Sequence, residues 1–265
     1  MKYFEVINNE GNLQINDTYK NLFFSRKEKV KIEKKSNPMA SSRGSAYYAN
    51  AYPRSDEVLI AVMPCGSNLY ERGFSVTYTG NGTNASARIT VAEGKSNDPS
   101  PVGEEFEVYY FSTKYQGTDK NNHAGLEVYN ASGEVVFSSE RKYLIPRYAQ
   151  FGTMKLLESD VTGFDSSTKK YYSWLGRLYK KLIDIPQNRK YAVAQALTPW
   201  YNWYYHPQTG GEIAVLGFGY KDNAICLYSF PVYNSGGYDL TVTAPAGWRE
   251  MDVRVNYLIV DVTNF

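Results

Sequence analysis

The residues able to support acid–base, nucleophilic or metal chemistry are few in this sequence and lie far apart. The two histidines, His123 and His206, stand away from any serine or cysteine signature of nucleophilic catalysis. The two cysteines, Cys65 and Cys226, show neither zinc-binding spacing nor the number that a disulfide framework needs. We therefore predict two buried thiols in a protein made in a reducing compartment.

Carboxylates and glycines give no stronger signal. Glu158, Asp160 and Asp165 fall close together, but their spacing is not that of a calcium-binding loop. The segment 217–219, Gly-Phe-Gly, follows a predicted strand without the third glycine and the helix of a dinucleotide site. A carboxylate pair for glycoside hydrolysis is the remaining enzymatic alternative. The sequence predicts a protein that is not an enzyme, with no cofactor and no metal.

Aromatic residues are the most distinctive group, with 25 tyrosines in 265 residues. Aromatic rings stack on sugars and also anchor protein interfaces. The alternative for a dense aromatic segment is a core strand with one exposed edge, because alternation buries half of it. The predicted contact surface consists of Trp200, Tyr201, Trp203, Tyr204 and Tyr205.

Charge and hydropathy exclude several classes of partner. The chain has 29 Lys and Arg against 27 Asp and Glu, a net charge of +2. Nucleic-acid binding requires concentrated positive charge, so we predict no nucleic-acid partner. No apolar run reaches the length of a membrane span, and the N-terminal residues lack the pattern of a signal peptide.

The sequence predicts that the elements positioning these residues are short strands separated by Asn- and Gly-rich turns. The apolar run 58–63 predicts a central strand covered on both faces, and 74–78, 87–91 and 106–111 predict further strands. The pattern is typical of antiparallel sandwich or barrel domains. One short helix is predicted by Tyr171, Leu175, Leu178 and Leu182, which recur at helical spacing.

A segment near the start recurs in the middle of the chain. Residues 5–11, EVINNEG, return as residues 127–133, EVYNASG, at an offset of 122. Identical residues at one offset indicate an internal repeat, and both segments contain the Asn and Gly of a hairpin turn.

Two weaker echoes follow in the same order. The stretch 56–62 resembles 211–216, where the offset between Glu57 and Glu212 is 155, and residues 89–91 resemble 240–242. The sequence therefore predicts two tandem, internally duplicated β domains, 1–114 and 125–265. A linker joins them at 115–124, and an added segment near 155–190 carries the helix. The alternative is that all-β chains look alike, since alternation and Asn/Gly turns recur in them.

The segment 125–139, GLEVYNASGEVVFSS, resembles one found in tail-associated proteins of long-tailed bacteriophages. Those segments contain a strand that ends in Val or Phe, any residue and Asn. A turn to Gly follows, and then a strand that ends in Phe, any residue, Ser or Asp, and Ser. A short basic and apolar stretch follows, here 141–146. The resemblance implies a β-rich virion component and assigns no catalytic residue.

Composition and resemblance together predict a structural tail protein in the tip, collar or tube region. We expect assembly in the host cytoplasm and contacts with other virion tail proteins. Three chains would present six similar domains, which suits a trimeric or hexameric ring on a six-fold tube. The alternative function is a receptor- or carbohydrate-binding module at the tail tip, with a host-surface glycan as its ligand.

Overall fold

The chain folds into β-strands in a computed structural model. The structure describes residues 5–7, 13–16, 21–34, 47–66, 69, 72–79, 85–91, 100–114, 126–139, 141–157, 161–162, 164–165, 170–172, 177–197, 200–206, 210–234, 241–243 and 250–265. No α-helix occurs among these residues. The predicted all-β class is therefore confirmed. The linker 115–124 lies outside the described residues, and the boundaries of the two domains stay a prediction.

Twenty-two strands are described. In chain order they are β1 (Glu5–Ile7), β2 (Leu13–Asn16), β3 (Phe23–Lys31), β4 (Glu33–Lys34), β5 (Tyr47–Ala51), β6 (Glu57–Pro64), β7 (Phe74–Thr79), β8 (Ser86–Val91), β9 (Glu105–Ser112), β10 (Glu127–Tyr129), β11 (Val135–Ser138), β12 (Pro146–Leu157), β13 (Val161–Thr162), β14 (Phe164–Asp165), β15 (Lys170–Tyr172), β16 (Arg177–Asp184), β17 (Tyr191–Leu197), β18 (Trp200–His206), β19 (Gly210–Lys221), β20 (Ala224–Asn234), β21 (Thr241–Thr243) and β22 (Glu250–Asp261).

Two antiparallel sheets contain most of these strands. The first has six strands in the order β12-β22-β17-β6-β9-β3. The second has nine, in the order β13-β16-β20-β19-β7-β8-β5-β4, with β18 also pairing β19. Three smaller groups complete the described strands, namely the hairpins β1-β2 and β10-β11 and the set β14-β15-β21.

A continuous apolar core lies between the two large sheets. The six-stranded sheet supplies Ile60, Val62, Phe106, Val108, Val193, Tyr257 and Ile259, and the nine-stranded sheet supplies Phe74, Val76, Ile89, Phe218, Ile225 and Leu227. Because one cluster draws on both sheets, they pack face to face as a sandwich. Burial of each large side chain contributes about 1.5–3 kcal/mol.

The opposite face of the six-stranded sheet is also buried. Ala61, Tyr109, Phe111, Ala192 and Val260 form a second apolar cluster there. Leu22, Leu144 and Phe265 pack against it. Both faces of β6 are therefore covered, as the continuous apolar run at 58–63 predicts.

The strands before residue 115 and those after residue 125 follow the same order. In the six-stranded sheet, β3-β9-β6 on one side corresponds to β12-β22-β17 on the other. In the nine-stranded sheet, β4-β5-β8-β7 corresponds to β13-β16-β20-β19. The two sets meet where β6 pairs β17 and β7 pairs β19, both antiparallel. Each large sheet therefore has a seam at its centre, between equivalent strands.

The two hairpins match in register as well as in sequence. In the first, Glu5 lies opposite Asn16, and in the second, Glu127 lies opposite Ser138, each 122 residues further on. A register shift follows the second pair in both hairpins. The second turn is an Asx turn in which the Asn130 side chain accepts from the Ser132 and Glu134 amides at 3.0 and 2.9 Å.

The predicted helix is not found where the structure describes its residues. Tyr171 lies in β15, and Leu178 and Leu182 lie in β16, whereas Leu175 lies outside the described residues. A bulge between Lys181 and Ile183 shifts the alternation of β16 by one residue. In the sequence, leucines four residues apart suit one face of a regular strand as well as one face of a helix, and pairing with β20 decides the conformation.

The two weaker sequence repeats compare strands that do not hold equivalent places in the two halves of the fold. The echo at offset 155 compares β6, in the six-stranded sheet, with β19, in the nine-stranded sheet. The third compares β8 with residues around β21, which belongs to the three-stranded set. In the strand order, the counterpart of β6 is β17, which shares with it the adjacent Ala and Val of Ala61-Val62 and Ala192-Val193.

Candidate functional site

The predicted aromatic contact surface lies on β18, the strand of the nine-stranded sheet that pairs β19 alone. Trp200, Tyr201, Tyr204 and Tyr205 pair with residues 211–215 of β19, and Trp203 falls at a register shift after Asn202. The side chains of this strand lie outside the described part of the structure. The structure therefore places the backbone of the aromatic stretch on a strand, and the proposed role of its rings stays a prediction.

A cleft of about 860 Å³ opens where the two sets of strands meet. One wall comes from β3, β6 and β9, through Lys29, Met63, Cys65 and Glu107. The other wall comes from residues 185–191, between β16 and β17, and from residues 220–224 at the β19–β20 turn. Sequence reasoning did not find this cleft, because its walls are more than 70 residues apart in the chain.

The second wall of the cleft is held by backbone hydrogen bonds. The Ile185 amide donates to the Asn223 carbonyl at 2.6 Å, which joins the two loops. Asn188, Asp222 and Asn223 have positive φ values of 67°, 50° and 56°. Asn and Asp tolerate this region better than other residues with side chains, which explains their presence in these tight turns.

Of the two thiols predicted to be buried, Cys226 is buried, but Cys65 is exposed at the mouth of the cleft because it follows the end of β6. The Cys65 thiol is not activated. Burial raises the pKa of Cys65, and the negative charge of Glu107 raises it further. Glu107 also accepts a hydrogen bond from the Tyr109 hydroxyl at 2.5 Å. Burial and this bond raise the pKa of Tyr109. Because a thiolate rather than a thiol is the nucleophile, this geometry does not prepare Cys65 for catalysis.

Two basic residues of the cleft are already in ion pairs. Lys29 lies 3.1 Å from Glu105, and Arg189 lies 3.3 Å from Asp261. Asp261 is 3% exposed and also binds Arg147 at 2.8 Å. Burial opposes ionisation of Asp261, but hydrogen bonds from Thr263 and Arg147 outweigh it and hold its pKa below 3.8. The pairs of Asp261 fix the end of β22 against the cleft wall and leave Arg189 less available for a ligand.

The structure does not bring together the residues whose side chains could act in catalysis or bind a metal, among those that it describes. Within the described ranges, no group of three or more His, Cys, Asp or Glu could hold a metal ion. Gly217, Phe218 and Gly219 lie inside β19, so they form no phosphate-binding loop. His123, Glu158 and Asp160 lie outside the described residues. No helix among the described residues is long and apolar enough to span a membrane.

The surface exposes large apolar side chains at several separate places. The most exposed are Phe151 at 65% and Tyr52 at 64%. The others are Val58, Tyr78, Val102, Leu126, Tyr129 and Ile145. Phe151 differs from the rest because it lies in the middle of a long edge strand, β12. Isolated exposed apolar residues are ordinary, whereas a long open strand edge offers unpaired backbone groups to another chain.

Comparison with known proteins finds no family model, no curated protein and no solved structure that matches the chain.

Proposed function

We propose that the chain is a structural component of a bacteriophage tail, in the tip, collar or tube region, and that it acts through protein–protein contacts without catalysis. The support is the resemblance of residues 125–139 to tail-associated proteins. In the structure this segment forms the hairpin β10–β11, with its turn at residues 130–133.

The observation that carries the proposal is the matched strand order of the two halves. Seven strands of each half take equivalent places in the two large sheets. The hairpins at the start of each half share an offset and a register. Tandem duplication accounts for both features. The additional strands of the second half, β14, β15, β18 and β21, are then later insertions into one copy.

A duplicated chain suits assembly on a symmetrical partner. Two similar halves fused through both sheets offer two similar surfaces in a fixed relation. Three chains would then present six surfaces, and six chains would present twelve. We propose a trimer or hexamer ring that contacts other virion tail proteins, because closed rotational symmetry repeats one contact around a tube.

The test is the location of the chain in virus particles. Antibodies raised against the purified protein should label tails in immunogold electron micrographs, and mass spectrometry should detect the chain in purified virions. Light scattering of the isolated protein should show three or six chains. Virions without the protein would exclude a tail component, and a stable monomer would exclude the ring.

A second candidate is a receptor- or carbohydrate-binding module at the tail tip. The observation in its favour is that the aromatic residues of β18 occupy a strand that pairs on one side only within the described sheets. A glycan-binding screen with Trp200→Ala and Trp203→Ala tests it. Loss of binding in these variants but not in Tyr52→Ala would support the module. Equal binding by all three would exclude this stretch as the ligand site.

A further inference from the structure

The outer edge of β12 is a long strand edge that offers hydrogen-bonding groups for another strand. The strand runs from Pro146 to Leu157 and pairs with β22 on its inner side. In the part of the chain that the structure describes, no strand pairs with its outer side. An open edge of this length is a template for pairing with another chain.

The equivalent edge at the far side of the same sheet is protected by charge. Five of the nine residues of β3 are charged, in the sequence FFSRKEKVK. Only Arg147 and Lys155 are charged in the twelve residues of β12, which read PRYAQFGTMKLL. Charged side chains on an edge discourage pairing with other chains. The two edges hold equivalent places in the fold, and only β12 lacks this protection.

Alternation divides the side chains of β12 between the core and the solvent. Tyr148 and Met154 pack against the core cluster. Ala149, Phe151 and Thr153 are exposed on the other face, and Phe151 is 65% exposed. The stretch 148–154 is therefore uncharged and presents a large ring to solvent. Directly after this stretch, the Lys180 Nζ donates a hydrogen bond to the Lys155 carbonyl at 3.2 Å.

We propose that β12 pairs antiparallel with β12 of a second copy of this chain, which joins two six-stranded sheets edge to edge. An antiparallel pair of identical strands closes on a two-fold axis, so the contact is self-complementary. The chain already joins equivalent strands in this way, at Val62 opposite Val193 and at Phe74 opposite Phe218. Pairing of β12 with β3 of another copy is less favourable, because β3 brings four basic residues to the contact where a second β12 brings two.

Charge also selects the register of the pair. A two-fold axis at Phe151 would place Arg147 opposite Lys155 of the partner subunit, and like charges opposite each other destabilise a sheet. An axis at Gln150 places Phe151 opposite Ala149 of the partner subunit. Arg147 then lies opposite Thr153 of the partner subunit. We therefore place the axis at Gln150, where each ring packs beside a small side chain.

This inference deepens the proposed assembly role, because it names the contact that joins two chains. Three such pairs would give a ring of six, whereas a ring of three alone would not contain the contact. The oligomeric state of the purified protein tests the pairing, and labelling of virions tests the tail location. A negative result in the first measurement contradicts the β12 pairing alone, and a negative result in the second contradicts the tail location.

The first experiment compares two lysine substitutions at equally exposed rings. Phe151→Lys places a charge on the open edge of β12, and Tyr52→Lys places one on a ring that is 64% exposed and lies outside β12. We expect light scattering to show a dimer, or a multiple of it, for the wild type and for Tyr52→Lys. Phe151→Lys should weaken dimerisation more than tenfold, with an unchanged circular dichroism spectrum.

Three outcomes overturn the proposal. They are a wild type that is monomeric or trimeric, an oligomer that Phe151→Lys leaves intact, and equal loss of assembly in the two variants. A monomer that captures a strand of another tail protein on β12 belongs to the first outcome, since it excludes self-pairing.

A covalent trap tests the register without relying on a loss of assembly. The variant Ala149→Cys, Phe151→Cys is made in a Cys65→Ser background, because Cys65 is the exposed native thiol. With the axis at Gln150, each new cysteine faces the other one on the partner subunit. Mild oxidation should give a disulfide-linked dimer on a non-reducing gel. Single-chain bands only, from protein of native circular dichroism, would contradict the register.

Discussion

Phe74 and Phe218 lie opposite each other in antiparallel register at the seam of the nine-stranded sheet, with their ring centroids 6.3 Å apart. Each ring also contacts an aromatic residue of the facing sheet. Phe74 lies 5.2 Å from Phe106, and Phe218 lies 5.0 Å from Tyr257. The centre of the sandwich is therefore a group of four rings, two from each set of strands.

We expect Phe74→Ala and Phe218→Ala each to lower the free energy of unfolding by about 3–5 kcal/mol, through lost burial and a cavity. The double variant should lose about 0.5–1.5 kcal/mol less than the sum, because the two rings contact each other. Denaturant unfolding of the four proteins measures this coupling. Simple additivity would show that the seam does not couple the two halves, and two separate transitions would show independent domains.

The buried carboxylate Asp261 should contribute to stability at neutral pH. It accepts hydrogen bonds from Thr263 at 2.6 Å and from Arg147 at 2.8 Å. We expect Asp261→Asn to cost about 2 kcal/mol, the usual value for hydrogen bonds to a charged group. The control is Asp184→Asn, whose partner is Lys181 and whose side chain is 70% exposed, so a change below about 0.5 kcal/mol is expected.

The contribution of Asp261 should depend on pH in one direction. Its pKa is lower in the folded chain than the ordinary value of 3.8. The stability that it provides is therefore fully present above pH 3.8, and protonation removes it as the pH falls through the lower folded value. The difference between wild type and Asp261→Asn should shrink in acid. A constant difference between pH 7 and pH 2 would contradict this assignment.

Cys65 should react slowly with alkylating agents although it is exposed. Partial burial of the sulfur and the charge of Glu107 raise the pKa of Cys65 above 9.0, so little thiolate is present at pH 8. We expect Glu107→Gln to increase the alkylation rate severalfold at pH 8, because a neutral side chain removes the charge. Cys226, which is 0% exposed, should stay unmodified until the protein unfolds. An unchanged pH–rate profile in Glu107→Gln would contradict the role of Glu107.

Gly133 should be required for the turn of the second hairpin. Its φ is +77°, and a Cβ there would meet no atom within 4 Å, so the cost of a side chain is a backbone cost. We expect Gly133→Ala to destabilise the hairpin by about 1 kcal/mol and Gly133→Asn by less. Faster hydrogen exchange at the Asn130 amide, which bonds to the Glu134 carbonyl at 2.9 Å, measures this effect. Equal exchange in the wild type and Gly133→Ala would contradict it.

Local patterns in the sequence were sufficient for the strands and the second hairpin. The apolar run at 58–63 predicted β6, alternation predicted β7 and β8, and Asn130 to Gly133 predicted the turn. These features depend on residues close in sequence, whose φ preferences and alternation act locally. The same local reading failed at β16, because the spacing of four between Leu178 and Leu182 suits one face of a strand as well as one face of a helix.

The sequence by itself determined the all-β class and the position of the β10–β11 hairpin. The tertiary structure decided which strands are equivalent, because β6 and β17 are recognised by their places beside β9 and β22 rather than by their sequences. It also decided that Cys65 and Glu107 share a cleft with Arg189, and that β12 rather than β3 is the unprotected edge. Long-range strand pairing controls these features, and no local propensity encodes the partner of a strand.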